Sequence, residues 1–348
     1  MFFKFTTLEI ILASLIISFA TTFFLSPFIQ KLGEYFNMKD IPDSRKLKQS
    51  RLVRIGGIAI ISGFYSSIFF IWALNNFTIN SFYNPSLFVI VAFSSLVLFL
   101  LGLFDDIKSL SPFVRLFIQF TIATVIATSG INIKEINLAW MNIDTIYLPK
   151  ILSNLLTSFW IVGLINAINW LDGIDGLASG ITGFASLGLA IISYQNGQLL
   201  VPIIAASISG CSFGFLRFNF YPAKMLMGDS GSYFLGFSLA IISIISTSIE
   251  VNPIGLFIPF LLLIIPLLDM LVVIIRRLIN RESPFLSDRS HLHHKLIDSG
   301  FSELGTVIFI YSLSQWIAIL TIGLASTNDG LYLLATMLSS VLLFFGFI

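Results

Sequence analysis

The sequence contains very little charge for its length. Asp, Glu, Lys and Arg make up 11% of its 348 residues, and the formal net charge is +1. Because a water-facing surface normally needs about a quarter of its residues charged, this composition excludes a soluble globular domain. Hydrophobic residues make up 56%, and Phe alone occurs 36 times. The composition predicts an integral membrane protein, for which we expect no nucleic-acid partner.

Cysteine is almost absent. Cys211 is the single one, so an intrachain disulfide is excluded and the sequence carries no indication of the redox compartment. Its apolar surroundings predict a small packing residue. Internal repeats, low-complexity tracts and a separate soluble domain are also missing, which predicts a single transmembrane domain over 1–348.

The chain does contain a series of apolar runs, each long enough to cross a ~30 Å hydrocarbon core. They lack the alternation of a membrane β-barrel, so they predict an all-α polytopic protein with about 10–11 transmembrane helices. The first run is too long for a signal sequence and has no convincing cleavage site, so we expect a retained helix. The predicted spans are roughly 8–30, 55–74, 86–104, 112–130, 152–170, 175–194, 198–216, 230–249, 254–275, 306–325 and 330–348.

Basic residues are distributed unequally between the two sides of this predicted bundle. Sixteen of the nineteen Lys and Arg fall in alternate loops beginning with 31–54, and Lys4, Lys134 and Lys150 fall on the other side. The positive-inside rule places the richer side in the cytoplasm and the N-terminus outside. On the outer side, alternation over 131–136 predicts a short hairpin. The acidic motifs and all histidines lie at or near the basic side, which predicts an active site in a cytoplasmic-face cleft built from loops at about 31–54, 104–112, 166–177, 217–232 and 276–304.

The stretch 166–177 places two amides, two carboxylates and two glycines between long apolar runs, namely Asn166, Asn169, Asp172, Gly173, Asp175 and Gly176. Ionisable groups at membrane depth cost several kcal/mol unless they face protein, water or an ion. If the segment is helical, Asp172 and Asp175 share one face. A glycine-rich helix–turn–helix with acidic caps would explain one Asp and one Gly, but not two of each. We therefore interpret this stretch as a metal and phosphate site.

Two further acidic motifs have competing interpretations. Asp105 and Asp106 are adjacent, and such a pair suits a site where a divalent cation or a shared proton compensates their repulsion. An exposed interfacial acid pair beside Lys108 and Arg115 explains them equally well. Asp229 lies in Met-Gly-Asp-Ser-Gly-Ser at 227–232, which offers backbone donors for phosphate and a carboxylate for metal, although an ordinary helix N-cap reads the same way.

All three histidines, His291, His293 and His294, lie within four positions and follow Arg289. A zinc site is one interpretation, but no Cys lies nearby. Binding of phosphate by Arg289 and the imidazoles is another, and the clustering disfavours an incidental surface run. Arg45 and Lys46 lie in a basic loop that is usually only a topology signal or a lipid contact.

In this order, the motifs resemble those of the polyprenyl-phosphate N-acetylhexosamine-1-phosphate transferases, the MraY/WecA-like membrane family of glycosyltransferase family 4. The resemblance covers about residues 33–304, and the form Asp-Arg-Ser-His-Leu-His-His at 288–294 is similar to the GlcNAc-1-phosphate branch. The phospho-MurNAc-pentapeptide branch usually has three consecutive histidines there. The chain departs from the family at Lys48, Arg51 and Val53, where His and prolines are common.

The resemblance implies transfer of a sugar-1-phosphate from a UDP-N-acetylhexosamine to undecaprenyl phosphate with release of UMP. The similarity to the GlcNAc-1-phosphate branch implies that this sugar is GlcNAc. The family resemblance implies Mg²⁺, with Mn²⁺ as a substitute. Asp105 and Asp106 would position or deprotonate the lipid phosphate, and Asp229 would ligate the metal. Nucleotide, metal and phosphate contacts would come from Arg45, Lys46, Asn166, Asn169, Asp172, Asp175, Arg289, His291, His293 and His294, with Asp172 and Asp175 as further metal ligands.

The resemblance also implies a bacterial plasma-membrane protein that contacts membrane lipids and forms a homodimer. Three alternatives stay open at this point: a MurNAc-peptide donor, an inactive scaffold, and an ion-coupled transporter. Transport is disfavoured because the acids gather at one face and no inverted repeat is visible.

Overall fold

The computed structural model describes residues 6–38, 52–75, 85–136, 145–247, 257–283 and 291–326. Within these ranges the chain forms helices and one two-stranded hairpin. In order they are α1 (Thr7–Tyr35), α2 (Gly57–Asn75), α3 (Pro85–Ile107), α4 (Pro112–Ser129), β1 (Glu135–Ile136), β2 (Ile146–Tyr147), α5 (Lys150–Leu171), α6 (Leu177–Gln195), α7 (Leu200–Asn219), α8 (Gly228–Thr247), α9 (Phe257–Leu262), α10 (Ile264–Ile279), α11 (Leu292–Asp298) and α12 (Glu303–Ser326).

Eight helices among the described residues are long and apolar enough to cross a membrane. They are α1, α3 to α8 and α12, and the shorter apolar helix α2 occupies the predicted span 55–74. The predicted span 254–275 is divided at Leu263 between α9 and α10. Pro266 lies in the first turn of α10. Because proline has no backbone N–H, it cannot donate the hydrogen bond that would continue α9 into α10. The all-α membrane fold is confirmed, and the last predicted span, 330–348, lies outside the described residues.

Helix α1 exposes large apolar side chains and buries small polar ones, which is the reverse of a helix in a soluble protein. Its exposed face carries large apolar side chains, including Ile16, Phe24 and Phe28. Its buried face carries small residues at intervals of four, which approach glycines of α2 and α7. Small residues allow close helix contact where lipid supplies no hydrophobic driving force. The small buried residues at this spacing are Ser14, Ser18, Thr22 and Ser26.

The hairpin predicted near 131–136 is present. Glu135 pairs with Tyr147 and Ile136 with Ile146 in antiparallel register. The hairpin joins α4 to α5, so it lies at the end of the bundle opposite the 172–176 turn. The alternating pattern was therefore a correct indication of strand structure.

Helix α8 lies at the centre of the bundle and is buried along most of its length. It packs against α3 and α5. A Cβ added at Gly102 of α3 would lie 2.5 Å from the Ser230 nitrogen, and one at Gly236 would lie 2.7 Å from the Ile165 Cα. These glycines let the backbones approach closely. As a result, the ends of α3 and α5 lie beside the N-terminus of α8.

The segment before α2 pairs with the segment before α8. Val53 and Met225 form a parallel bridge, and the Leu226 N–H donates to the Val53 carbonyl at 2.8 Å. The Gly57 N–H donates to the Met227 carbonyl at 2.9 Å. This pairing brings Arg54, which lies between Val53 and α2, to the N-terminus of α8.

Candidate active site

Asp229, in the first turn of α8, lies at the centre of a polar cluster. Its Oδ1 accepts hydrogen bonds from Arg54 Nη2 and Asn169 Nδ2, both at 2.9 Å. Its Oδ2 lies 4.0 Å from Arg115 Nη1. Asn169 Nδ2 also donates to Ser232 Oγ at 3.0 Å. The cluster thus joins the start of α8 to the end of α5 and to two arginines from other elements.

Asp106 caps α8 from the end of another helix. Its Oδ1 accepts the Asp229 N–H at 2.8 Å, and its Oδ2 accepts the Ser230 N–H at 3.0 Å. The Nε of Arg54 lies 3.1 Å from Oδ1 of the same carboxylate, whose side chain is 1% exposed. A carboxylate at a helix N-terminus satisfies donors that the helix leaves unpaired and complements the helix dipole.

Asp105 forms a second, neighbouring ion pair. Its Oδ2 accepts from Arg115 Nη1 at 2.9 Å and from the Tyr233 hydroxyl at 3.2 Å. Its Oδ1 accepts the Leu110 N–H at 2.6 Å. The two adjacent carboxylates therefore pair with different arginines, Asp105 with Arg115 and Asp106 with Arg54. The interpretation of this motif as an exposed acid pair is wrong, since Asp105 and the Asp106 side chain are buried.

The stretch 166–177 is a helix end, a turn and a helix start. α5 ends at Leu171, Asp172 is its C-cap, and Gly176 has φ +83° before α6 begins. The idea that Asp172 and Asp175 share a helix face is therefore wrong, because the chain turns between them. The helix–turn–helix alternative describes the backbone correctly. Asn169 at the end of α5 nevertheless contacts Asp229, and Asp172 lies near Asp229 and Asp106.

Asp172 and Asp175 point to different surroundings. Burial raises the pKa of the Asp172 carboxyl well above its usual range; Arg54 opposes this shift, while Asp229 and Asp106 add to it. Burial is the main cause of the raised pKa, and the nearby negative charges are a secondary cause. Asp175 Oδ2 instead accepts the Ala223 N–H at 2.9 Å, which orients it toward the connection between α7 and α8.

Asn166 lies about one helical turn deeper than Asn169. Its Nδ2 donates to Gln119 Oε1 and to the Val162 carbonyl, both at 2.8 Å. The structure therefore brings Asn169 into the Asp229 cluster and places Asn166 against α4. Its role as a substrate ligand stays a prediction.

The three histidines form a stacked group at the start of α11. The rings of His291 and His293 are 5.6 Å apart and nearly parallel, and His293 and His294 are 4.3 Å apart. Trp170 contacts His291 edge to face at 5.5 Å. Burial, together with the neighbouring imidazoles His294 and His291, lowers the pKa of His293 to about 3. At neutral pH His293 is therefore uncharged.

The remaining basic candidates, Arg45, Lys46 and Arg289, lie outside the described residues. Within the described part of the chain, no group of three or more His, Cys, Asp or Glu side chains forms a ready metal site. A metal held at this site would therefore need ligands from substrate or water as well as from the protein.

Sequence reasoning assigned no site role to three residues that contact the cluster: Arg54, Arg115 and Tyr233. Both arginines were counted as topology signals, because basic residues near membrane spans normally have that meaning, and Arg115 was also named as a neighbour of the acid pair. The glycines after Arg54 were the available signal, since adjacent glycines often mark close approach of two backbones. Tyr233 lies inside an apolar run and carried no such signal.

The part of the chain that contains α3, α5 and α8 matches a known sequence family. Residues 88–247 match the family model described as glycosyl transferase family 4. A decaprenyl-phosphate N-acetylglucosaminephosphotransferase of Mycolicibacterium smegmatis is 32% identical over 325 residues, which cover 88% of this chain and 79% of the relative. The chain belongs to glycosyl transferase family 4. Its resemblance to that family, based on five motifs, is confirmed.

Two further relatives align over similar lengths. A probable undecaprenyl-phosphate N-acetylglucosaminyl 1-phosphate transferase of Bacillus subtilis is 29% identical over 327 residues, covering 91% of this chain and 86% of the relative. An undecaprenyl-phosphate alpha-N-acetylglucosaminyl 1-phosphate transferase of Escherichia coli K12 is 28% identical over 295 residues, covering 83% and 77%. The protein is thus a multi-pass membrane transferase.

Proposed function

We propose that this protein transfers GlcNAc-1-phosphate from UDP-GlcNAc to a polyprenyl phosphate such as undecaprenyl phosphate. The products are the lipid-diphospho-sugar and UMP, at the first membrane step of a cell-surface glycan such as O-antigen or teichoic acid. The observation that carries this proposal is the convergence of Asp105, Asp106 and Asp229 with Arg54 and Arg115 at one end of a membrane bundle. The names of the relatives support GlcNAc and the polyprenyl acceptor.

The reaction joins two phosphates that repel each other. An oxygen of the acceptor phosphate bonds to the sugar-linked phosphorus, and the bond from that phosphorus to the bridging oxygen breaks, so UMP leaves with the electron pair. Arg54 and Arg115 supply positive charge beside Asp229. Fixed cations and donors of this kind stabilise charge that develops in a transition state.

Asp105 and Asp106 act, in this proposal, by holding those arginines. Both oxygens of each carboxylate already accept hydrogen bonds from the protein. That occupancy supports a positioning role over proton transfer from the lipid phosphate. Asn169 holds Asp229 and Ser232 in register, and the histidines with Arg289, Arg45 and Lys46 remain predicted phosphate contacts.

The residues present fit Mg²⁺, with Mn²⁺ as a substitute. Mg²⁺ is usually bound by one or two carboxylates together with substrate phosphates and water. Asp229 and Asp172 are the two carboxylates that we assign, because Asp172 lies close enough to Asp229, Asp106 and Arg54 to interact with all three charges. Asp175 is the weaker candidate for a metal ligand, because its carboxylate already accepts a hydrogen bond from the Ala223 N–H. Bound there, Mg²⁺ would neutralise charge on the pyrophosphate.

The location of the site follows from the charge distribution. We propose that the Asp229 end of the bundle faces the cytoplasm of a bacterial plasma membrane, with the N-terminus outside, because most Lys and Arg belong to loops at that end. The lipid acceptor would then meet a soluble nucleotide sugar at the membrane surface. A homodimer stays a prediction from the family resemblance.

A donor panel tests the choice of sugar. Purified protein in detergent would receive undecaprenyl phosphate, Mg²⁺ and, in turn, UDP-GlcNAc, UDP-GalNAc or UDP-MurNAc-pentapeptide. We expect UMP release with UDP-GlcNAc at a rate at least tenfold above the others, about 1.4 kcal/mol of discrimination. Preferential use of the MurNAc-pentapeptide donor would overturn the assignment to the GlcNAc branch.

A further inference from the structure

Asp269 is a buried carboxylate that the reaction described above does not use. It lies on α10, and its carboxylate accepts two hydrogen bonds from the histidine segment. Oδ2 lies 2.8 Å from His291 Nδ1, and Oδ1 accepts the Leu292 N–H at 2.7 Å. The side chains of Asp269 and His291 are 4% and 10% exposed. One acid on a membrane helix therefore holds both the ring of His291 and the backbone at the start of α11.

This contact determines which nitrogen of His291 carries a proton. An ionised carboxylate can only accept hydrogen bonds, so Nδ1 must be the donor toward Asp269. In a neutral imidazole the proton on Nδ1 leaves Nε2 as the acceptor, and the partner of one nitrogen thereby defines the chemistry of the other. Nε2 is thus the His291 nitrogen available to a further partner.

The His291 ring is also fixed by its apolar and aromatic neighbours. Trp170 contacts it edge to face, and His293 stacks on it. Arg277, two turns after Asp269 on α10, lies 5.7 Å over the Trp170 ring. Trp170 directly follows Asn169, which donates to Asp229. The Asp269–His291 pair is therefore mechanically connected to the Asp229 cluster through α5.

We propose that Asp269 is a positioning residue for the transfer reaction: it fixes His291 Nδ1 as a donor, so that Nε2 faces the substrate, takes up a proton from water and donates a hydrogen bond to a phosphate oxygen. The proposal rests on the proposed function, because a phosphate ligand is needed to give Nε2 its role. Asp269 itself touches His291 and Leu292 and acts through them. Carboxylates that orient a metal-bound imidazole from behind contribute about 10–100-fold to activity or affinity, and we expect an effect of the same order here.

The first test reads the His291 tautomer without any assay of activity. The protein has three histidines, so ¹⁵N-histidine labelling gives a simple NMR spectrum, and the His291→Gln variant assigns the His291 signals. We expect wild-type His291 to be protonated at Nδ1 and Asp269→Asn to shift it toward the other tautomer. Protonation of neutral wild-type His291 at Nε2 alone would overturn the proposal, even if the variant failed to fold.

The second test is a double-mutant cycle on UMP release. We expect Asp269→Asn to lower kcat about 10–100-fold, with less than a twofold further loss when it is added to His291→Ala. Asp298→Asn, an exposed acid at the end of α11, is the matched control and should retain wild-type kcat. Additive losses would show that Asp269 acts independently of His291 and would overturn the proposal.

The two tests separate the two hypotheses. If wild-type protein releases no UMP with any donor while His291 shows the expected tautomer and its dependence on Asp269, the proposed reaction fails but the positioning contact stands. If UMP is released while the tautomer does not respond to Asp269→Asn, the positioning proposal fails and the reaction stands.

Discussion

Arg54 contacts two carboxylates through different nitrogens, Nε toward Asp106 and Nη2 toward Asp229. A guanidinium can bridge two acids in this way because its donors form a rigid fork, whereas a lysine offers a single ammonium. Without Arg54, Asp106 and Asp229 would face each other with less compensation. Arg54 is therefore expected to matter both for the shape of the site and for phosphate binding.

Substitution of Arg54 should lower the rate of transfer. We expect Arg54→Gln to reduce kcat by about 10²–10³-fold, the usual effect of removing a group that stabilises developing charge, and Arg54→Lys to lie between it and wild type. UMP release measures the effect. Lys31→Gln removes an exposed basic residue of α1 and should leave the rate within twofold; equal effects of the Arg54 and Lys31 variants would contradict the role of Arg54.

Among individual residues, the acids of the site were easier to predict from the sequence than the arginines that pair with them. Asp105, Asp106, Asn169, Asp172 and Asp229 were identifiable because polar residues in an apolar chain require a reason. Their arginine partners come from other elements, 52 residues before Asp106 in the case of Arg54. Pairing over that distance depends on how α2 and α8 begin side by side, which no local pattern specifies.

The N-terminus of α8 is the element on which the site depends. Its first free N–H groups, those of Asp229 and Ser230, are capped by Asp106 from α3. A cap supplied by a different helix couples the position of α3 to the conformation of the first turn of α8. Loss of this cap should loosen that turn.

Asp106→Ala should increase hydrogen exchange at the Asp229 and Ser230 amides. The expected destabilisation is about 1–2 kcal/mol, the upper range for removing a helix cap, and it should be confined to the first turn. Mass-spectrometric hydrogen exchange on peptides covering 226–234 reads it directly, with peptides from the middle of α8 as the internal control. Unchanged exchange at the first turn would contradict the capping role.

Close contact between α3 and α8 should be sensitive to one methyl group. We expect Gly102→Ala to lower stability by about 1–3 kcal/mol, the typical cost of overpacking, because the added Cβ would meet the backbone of Asp229 and Ser230. Thermal unfolding in detergent measures this. Gly323→Ala in α12 meets nothing within 4 Å and should be neutral or slightly stabilising; a similar loss in both variants would refute the packing argument.

The positions of the membrane-length helices were predictable from the sequence, but the turns and breaks between or within them were not. The apolar runs gave the positions of α1 to α8 and α12 because membrane thickness determines their length. The turn at Asp172–Gly176 and the break at Leu263 depend on single backbone conformations. Gly173, Gly176 and Pro266 were the visible signals. The first two were weighed as turn residues, but the stretch was interpreted as a metal and phosphate site.

In the described part of the molecule, apolar side chains cover the sides of the helix bundle and ionic side chains gather at one of its ends. Large apolar side chains cover the outside of α1, α3 and α5, while the ion pairs of the site gather at one end of the bundle. The β1–β2 hairpin marks the other end. This separation gives the molecule two chemically different membrane faces.

The orientation of those faces is testable by cysteine labelling. Cys211 is buried, so the native background should be low. We expect a membrane-impermeant maleimide to label Lys134→Cys in the hairpin on intact cells, while Lys108→Cys at the site end is labelled only after permeabilisation; both lysines are exposed in the structure. The reverse pattern would invert the proposed topology.

The measurement that tests the central claim most directly is UMP release by purified protein with UDP-GlcNAc, undecaprenyl phosphate and Mg²⁺, compared with the Asp229→Asn variant. The account predicts release that requires both the lipid and Mg²⁺ and falls by about 10²-fold or more in the variant. Wild-type Arg54 and Asn169 should still be held near position 229, so a folded variant is expected. Release that is independent of the lipid acceptor, or equal in the variant, would contradict the account.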